Sequence, residues 1–151
     1  MLRQQLNDAL KAAMLGKDTR TVSTVRLILA ALKDRDIAAR PRGVTEGISD
    51  DEILSMLQSM IKQRRESIAL YEQGGRLELA QQEAEEITII QRFLPVQFSA
   101  EETLAAVKDI IAEIGAQGLK DMGRTMAALK ERYAGRMDFT KASAVVKQQL
   151  G

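Results

Sequence analysis

Leu2, Leu6, Leu10 and Ala13/Met14 recur every three or four positions, so the chain opens with a short amphipathic helix. Gly16 stands where its C-terminal cap belongs. A second helix, capped by Asp18 or Thr19, carries its apolar stripe on Val22, Val25, Ile28/Leu29 and Leu32 and stops before Arg40-Pro41-Arg42-Gly43. The stretch 40–47 is the one long loop that the pattern predicts. Ser49-Asp50-Asp51-Glu52 then has the spacing of a capping box. It opens a long helix with Ile53, Met56/Leu57, Met60/Ile61, Arg64, Ile68 and Tyr71 on one side, broken at Gly74-Gly75. Leu77, Ala80, Ala84, Ile87, Ile90/Gln91 and Leu94 mark a fourth helix that stops at Pro95, antiparallel to the third.

Beyond Pro95 the pattern shortens. A second capping box, Ser99-Ala100-Glu101-Glu102, starts a helix with Leu104, Val107, Ile110/Ile111 and Ile114. After the turn Gly115-Ala116-Gln117-Gly118, Asp121 is placed to cap a helix with Met122, Met126, Leu129 and Tyr133, ended by Gly135. Asp138 is placed to cap a last one with Phe139, Ala142, Val145/Val146 and Leu150. The expected fold is all-α: a four-helix region with a long antiparallel hairpin over 1–95, then a small three-helix bundle over 96–151. Leu, Ile, Ala and Met supply the apolar content and aromatic residues make up only 3%, which favours helices over strands.

Charge changes this picture in two places. Folding the hairpin at Gly74-Gly75 sets Arg64 opposite Glu85 and Glu86, which predicts an Arg–carboxylate contact between the two helices. The alternative is a phosphate-binding strip of Lys62, Arg64, Arg65 and Arg76. Residues 1–95 carry fourteen basic and fourteen acidic side chains, whereas 115–151 carry seven basic against three acidic. Lys120, Arg124, Lys130, Arg136 and Lys141 are therefore the candidate phosphate contacts, and Gly123 is expected to let helices approach closely. With no aromatic interleaving, any nucleic-acid contact there is expected to be backbone-directed and salt-sensitive. The alternative is an ordinary solvated surface.

Other chemistry is largely excluded by composition. The chain has no histidine and no cysteine, which removes His-bearing triads, thiol nucleophiles and the usual metal ligands. No serine stands on a nucleophile elbow, and no phosphate-cradling Gly-rich motif occurs. No catalytic residue, cofactor or metal is expected. The start lacks a secretory pattern, and the longest apolar run, Leu27 to Leu32, is too short to span a bilayer, so a cytoplasmic protein with no membrane contact is expected.

Leu119-Lys120-Asp121-Met122-Gly123-Arg124-Thr125-Met126, Gly135-Arg136-Met137-Asp138 and the ending Val145-Val146-Lys147-Gln148-Gln149-Leu150 resemble the YqeY family and the tail domain of GatB, the B subunit of glutamyl/aspartyl-tRNA amidotransferase. Upstream, Met60-Ile61-Lys62-Gln63-Arg64-Arg65-Glu66-Ser67, Gly75-Arg76-Leu77-Glu78-Leu79-Ala80 and Phe93-Leu94-Pro95 fit the same pattern. The chain departs from it at Met137-Asp138-Phe139-Thr140-Lys141, where an Ala-Asp-Gly-like turn is commoner. The resemblance implies an accessory protein that contacts tRNA or a tRNA-handling complex through its tail. Two other readings stay open: a part in glutamine-dependent transamidation, as a carbon–nitrogen ligase subunit or paralogue, and a helical protein-interaction scaffold.

Overall fold

The computed structural model describes residues 1–151 and contains seven α-helices and no strand. They are α1 (Leu2–Leu15), α2 (Thr19–Ala39), α3 (Asp50–Gln73), α4 (Leu77–Gln91), α5 (Ala100–Ile114), α6 (Met122–Arg132) and α7 (Phe139–Leu150), with 3-10 turns at Arg40–Arg42 and Leu119–Asp121. Two compact units divide the chain, Met1–Leu94 and Pro95–Gly151.

The N-terminal unit packs α1 on α2, and α2 on the hairpin of α3 and α4. Leu6, Ile28, Ile53, Met56, Leu57 and Ile90 are almost completely buried between them. Asp18 starts α2 by accepting the Thr21 amide, and Ser49 starts α3 by accepting that of Glu52. Such caps each contribute about 1 kcal/mol. The Glu52 carboxylate pairs with Arg42 at 3.5 Å. On α2 the buried face is turned from the expected stripe: Thr21 and Thr24 are inside with Val25 and Ile28, while Val22 is only half-buried. Leu77, expected in the stripe of α4, is 66% exposed because it opens that helix at the hairpin tip.

A polar junction ties α1, α2 and the approach to α3. Arg3 donates twice to Asp36 at 2.7 Å and once to the Ile48 carbonyl at 3.0 Å, and the Ile48 amide donates to Asp36 at 2.9 Å. The Arg3 hydrogen bonds hold the Asp36 carboxyl below its ordinary range. Gly47 lies directly beneath the Arg3 guanidinium at φ +100°, where a Cβ would overlap it. This position needs glycine on both counts.

The C-terminal unit packs α5, α6 and α7 pairwise around Val107, Ile110, Leu129, Met137, Ala142 and Val146. Ser99 and Glu102 form the complete reciprocal capping box. Its first residues are pinned to the α6–α7 turn: the Phe98 amide donates to the Arg136 carbonyl at 2.7 Å and the Gln97 side chain to that of Gly135 at 2.6 Å.

Candidate nucleic-acid interface

The five candidate basic residues of the C-terminal unit fall into two kinds. The arginines are engaged internally. Arg124 donates to the Ile114 carbonyl at 3.0 Å and to Asp121 at 3.2 Å, so its cation sits on the unpaired carbonyl end of α5, where the helix dipole favours positive charge. The Arg136 guanidinium lies 4.6 Å from the centre of the Phe98 ring, itself tilted against Tyr133. Arg132, outside the candidate set, makes a bidentate pair with Glu113 at 2.5 and 2.7 Å. The lysines differ: Lys120, Lys130 and Lys141 are exposed and form no ion pair.

These residues stand on several elements and share no single helix face. Six residues separate Arg124 from Lys130, which turns them about 120° apart around α6, and Lys141 lies on the first turn of α7. Gly123 is corrected as well. It is exposed, and a Cβ there would meet no heavy atom within 4 Å, because α6 packs through Thr125 and Leu129 on another face. Asp121 precedes α6 without capping it. Its carboxylate accepts the Gln117 amide at 2.9 Å and pairs with Arg124, and both bonds hold it below the ordinary aspartate range. The turn at Met137-Asp138 is built firmly, with Met137 buried and Asp138 accepting the amides of Thr140 and Lys141.

In the N-terminal unit, Arg64 meets Glu86 at 3.0 Å and Glu83 at 3.8 Å. Glu85 is not its partner. One residue of helical rotation turns Glu85 towards α2, where it pairs with Arg20 at 3.2 Å. Burial, and next the neighbouring Glu86, push the Glu83 carboxyl up, against the pull of Arg64. Arg64 is thus withdrawn from the imagined phosphate strip, and Arg76 is turned to Glu78 at 2.8 Å. Sequence reading missed the Arg3–Asp36 junction and the pairing of Glu113 with Arg132. Both join residues distant in the chain, and no local spacing announces them.

A family model described as Yqey-like protein matches residues 3–150. Among curated relatives, "Altered inheritance of mitochondria protein 41, mitochondrial" of Eremothecium gossypii is 35% identical over 112 residues, which is 72% of this chain and 58% of that protein. Its counterpart in Kluyveromyces lactis is 33% identical with the same coverage, and that of Clavispora lusitaniae 31% identical over 76% of this chain and 65% of its own length. The chain therefore spans under two thirds of the length of these relatives. Their names say mitochondrial, which overturns the cytoplasmic expectation. Absence of cysteine and of a secretory pattern does not separate the cytosol from other reducing compartments. No helix is long and apolar enough to cross a membrane. With the family model matched almost from end to end and the helices in place, the chain belongs to the Yqey-like protein family.

Proposed function

We propose that the chain is a non-catalytic accessory module of tRNA handling whose C-terminal unit contacts RNA phosphates through lysine side chains. The observation that carries this reading is the division of labour among its cations: Arg124, Arg132 and Arg136 have internal partners, while Lys120, Lys130 and Lys141 are exposed and make no side-chain hydrogen bond or ion pair. Phosphate contact asks only for mobile positive charge and tolerates cations on several faces, whereas base reading would need a convergent patch. The sequence shows neither a phosphate-cradling Gly-rich motif nor a serine on a nucleophile elbow, so an amidotransferase connection is proposed only at the level of a shared RNA or complex.

The test is binding of bulk tRNA to the full chain across a salt series, beside a Lys120→Ala, Lys130→Ala, Lys141→Ala variant. Affinity should fall steeply with salt, and the variant should bind about tenfold or more weakly with a shallower salt slope, since each lost phosphate contact removes nearly one unit of slope. Absence of binding at low salt, or equal binding by the variant, overturns the proposal.

A further inference from the structure

The N-terminal unit carries an open groove of about 900 Å³ lined by Met14 from α1, Val22, Ser23, Arg26 and Leu27 from α2, and Gln82 from α4, with Lys17 at its mouth. Its apolar residues are left uncovered. Met14 is 52% exposed, Leu27 48%, and the neighbouring Leu15 86%. Two cations border them, Lys17 and Arg26, and neither forms an ion pair. The single carboxylate in the lining, Glu86, is paired with Arg64 at 3.0 Å, a cation that Glu83 shares at 3.8 Å. The groove therefore presents apolar surface beside two cations that form no ion pair.

The backbone at Lys17 belongs to the C-terminal closure of α1: its amide donates to the Met14 carbonyl at 3.3 Å and the Asp18 amide to the Ala13 carbonyl at 2.9 Å. The α1–α2 turn requires one left-handed residue, and the chain places Lys17 there at φ +54°, although Gly16 beside it stays right-handed at φ −81°. Left-handed geometry is ordinarily given to glycine or asparagine. Here that closure sets a lysine among the residues lining the groove.

We propose that this groove docks an amphipathic helix of a protein partner, with its apolar stripe on Met14, Val22 and Leu27 and its Asp or Glu residues beside Lys17 and Arg26. From Thr19 to Leu27 the floor runs about 12 Å, two turns of helix, which suits the i, i+3, i+4, i+7 anchors of helix-in-groove recognition. An exposed apolar strip rimmed by charge is the surface expected of such a site. The inference concerns the N-terminal unit and does not rest on RNA binding by the C-terminal one.

The experiment titrates the isotopically labelled full chain with two synthetic 18-residue helices that share one leucine stripe, flanked by glutamates in one and by lysines in the other. Amide signals of residues 14–27 and 82–86 should shift with the acidic helix, which should bind at least tenfold more tightly than the basic one. In a Lys17→Glu, Arg26→Glu variant the preference should reverse, and binding of the basic helix then also reports that the variant is folded. Equal affinity for both helices, shifts confined to other residues, or a variant with native circular dichroism and unchanged preference overturns the proposal. Self-association of the free chain that Leu27→Glu abolishes would overturn it too, by giving the groove to a second copy.

Discussion

In the N-terminal unit the side chains of Arg64 and Glu86 are 13% and 10% exposed, and they meet across the α3–α4 hairpin. In the C-terminal unit Arg132 and Glu113 pair with better geometry, bidentate rather than single, yet are 46% and 52% exposed. Bond length would rank the second pair first. Burial ranks them the other way, because water and salt screen the exposed pair and the partner left behind by a mutation can simply rehydrate. A partner left behind in the hairpin, with Glu86 only 10% exposed, rehydrates far less readily.

The largest effect is therefore expected at the hairpin. Arg64→Ala leaves Glu86 and the half-buried Glu83 without their cation and should destabilise the fold by about 3–5 kcal/mol. Urea unfolding, with amide hydrogen exchange to follow α3 and α4 separately from the C-terminal helices, measures it. Replacing both members of the pair, Arg64→Met with Glu86→Leu, should recover part of the loss, since it removes the more buried carboxylate and leaves only the more exposed Glu83 without its cation. A single substitution that costs nothing would place the hairpin pair in the same class as the surface one.

A smaller effect separates two carboxylates within the N-terminal unit by the sign of their pH dependence. Asp36 is held below its ordinary range by Arg3, so the unfolded chain binds its proton first as pH falls, and its contribution to stability is present above the unfolded aspartate range and lost below it. Glu83 is pushed up by burial, so the folded chain binds its proton first, and its ionisation subtracts stability as pH rises through the glutamate range. Asp36→Asn should flatten the acid side of the stability profile, and Glu83→Gln should remove the decline on the other side. Thermal unfolding across acidic pH distinguishes the two, and profiles that move in the same direction would contradict the opposed environments.

Much of this architecture is legible in the sequence because helices announce themselves locally. Ser99-Ala100-Glu101-Glu102 forms the reciprocal cap its spacing suggests, and Gly74-Gly75 turns the hairpin where its apolar stripe breaks. Hairpin symmetry also leads to the Arg64 region, but a rule that pairs residue numbers cannot tell Glu85 from Glu86. Those two lie about 100° apart around α4, one facing α2 and the other α3. The candidate interface is less legible for the same reason. Counting charges finds a basic tail, but whether an arginine is left without an internal partner depends on a carbonyl at Ile114 or a ring at Phe98, both supplied by other parts of the unit. The left-handed Lys17 is hidden for a simpler reason: Gly16 beside it looks like the residue that should take that conformation.

The smallest effect is expected at the surface pair, and it sharpens the comparison most. Glu113→Gln removes the charge that holds Arg132 and keeps a similar shape, with both side chains still in water. The unfolding midpoint of the C-terminal helices should stay within experimental error, and raising the salt to 1 M should leave no difference between variant and parent, since exposed charges are screened at that ionic strength. The substitution also sets the Arg132 guanidinium free, adding one mobile cation to the unit where RNA contact is proposed. Stability and binding should then separate: unchanged unfolding with tighter, more salt-dependent tRNA binding. A drop in stability comparable to that of Arg64→Ala would show that the Glu113–Arg132 pair holds α5 to α6 as the hairpin pair holds α3 to α4.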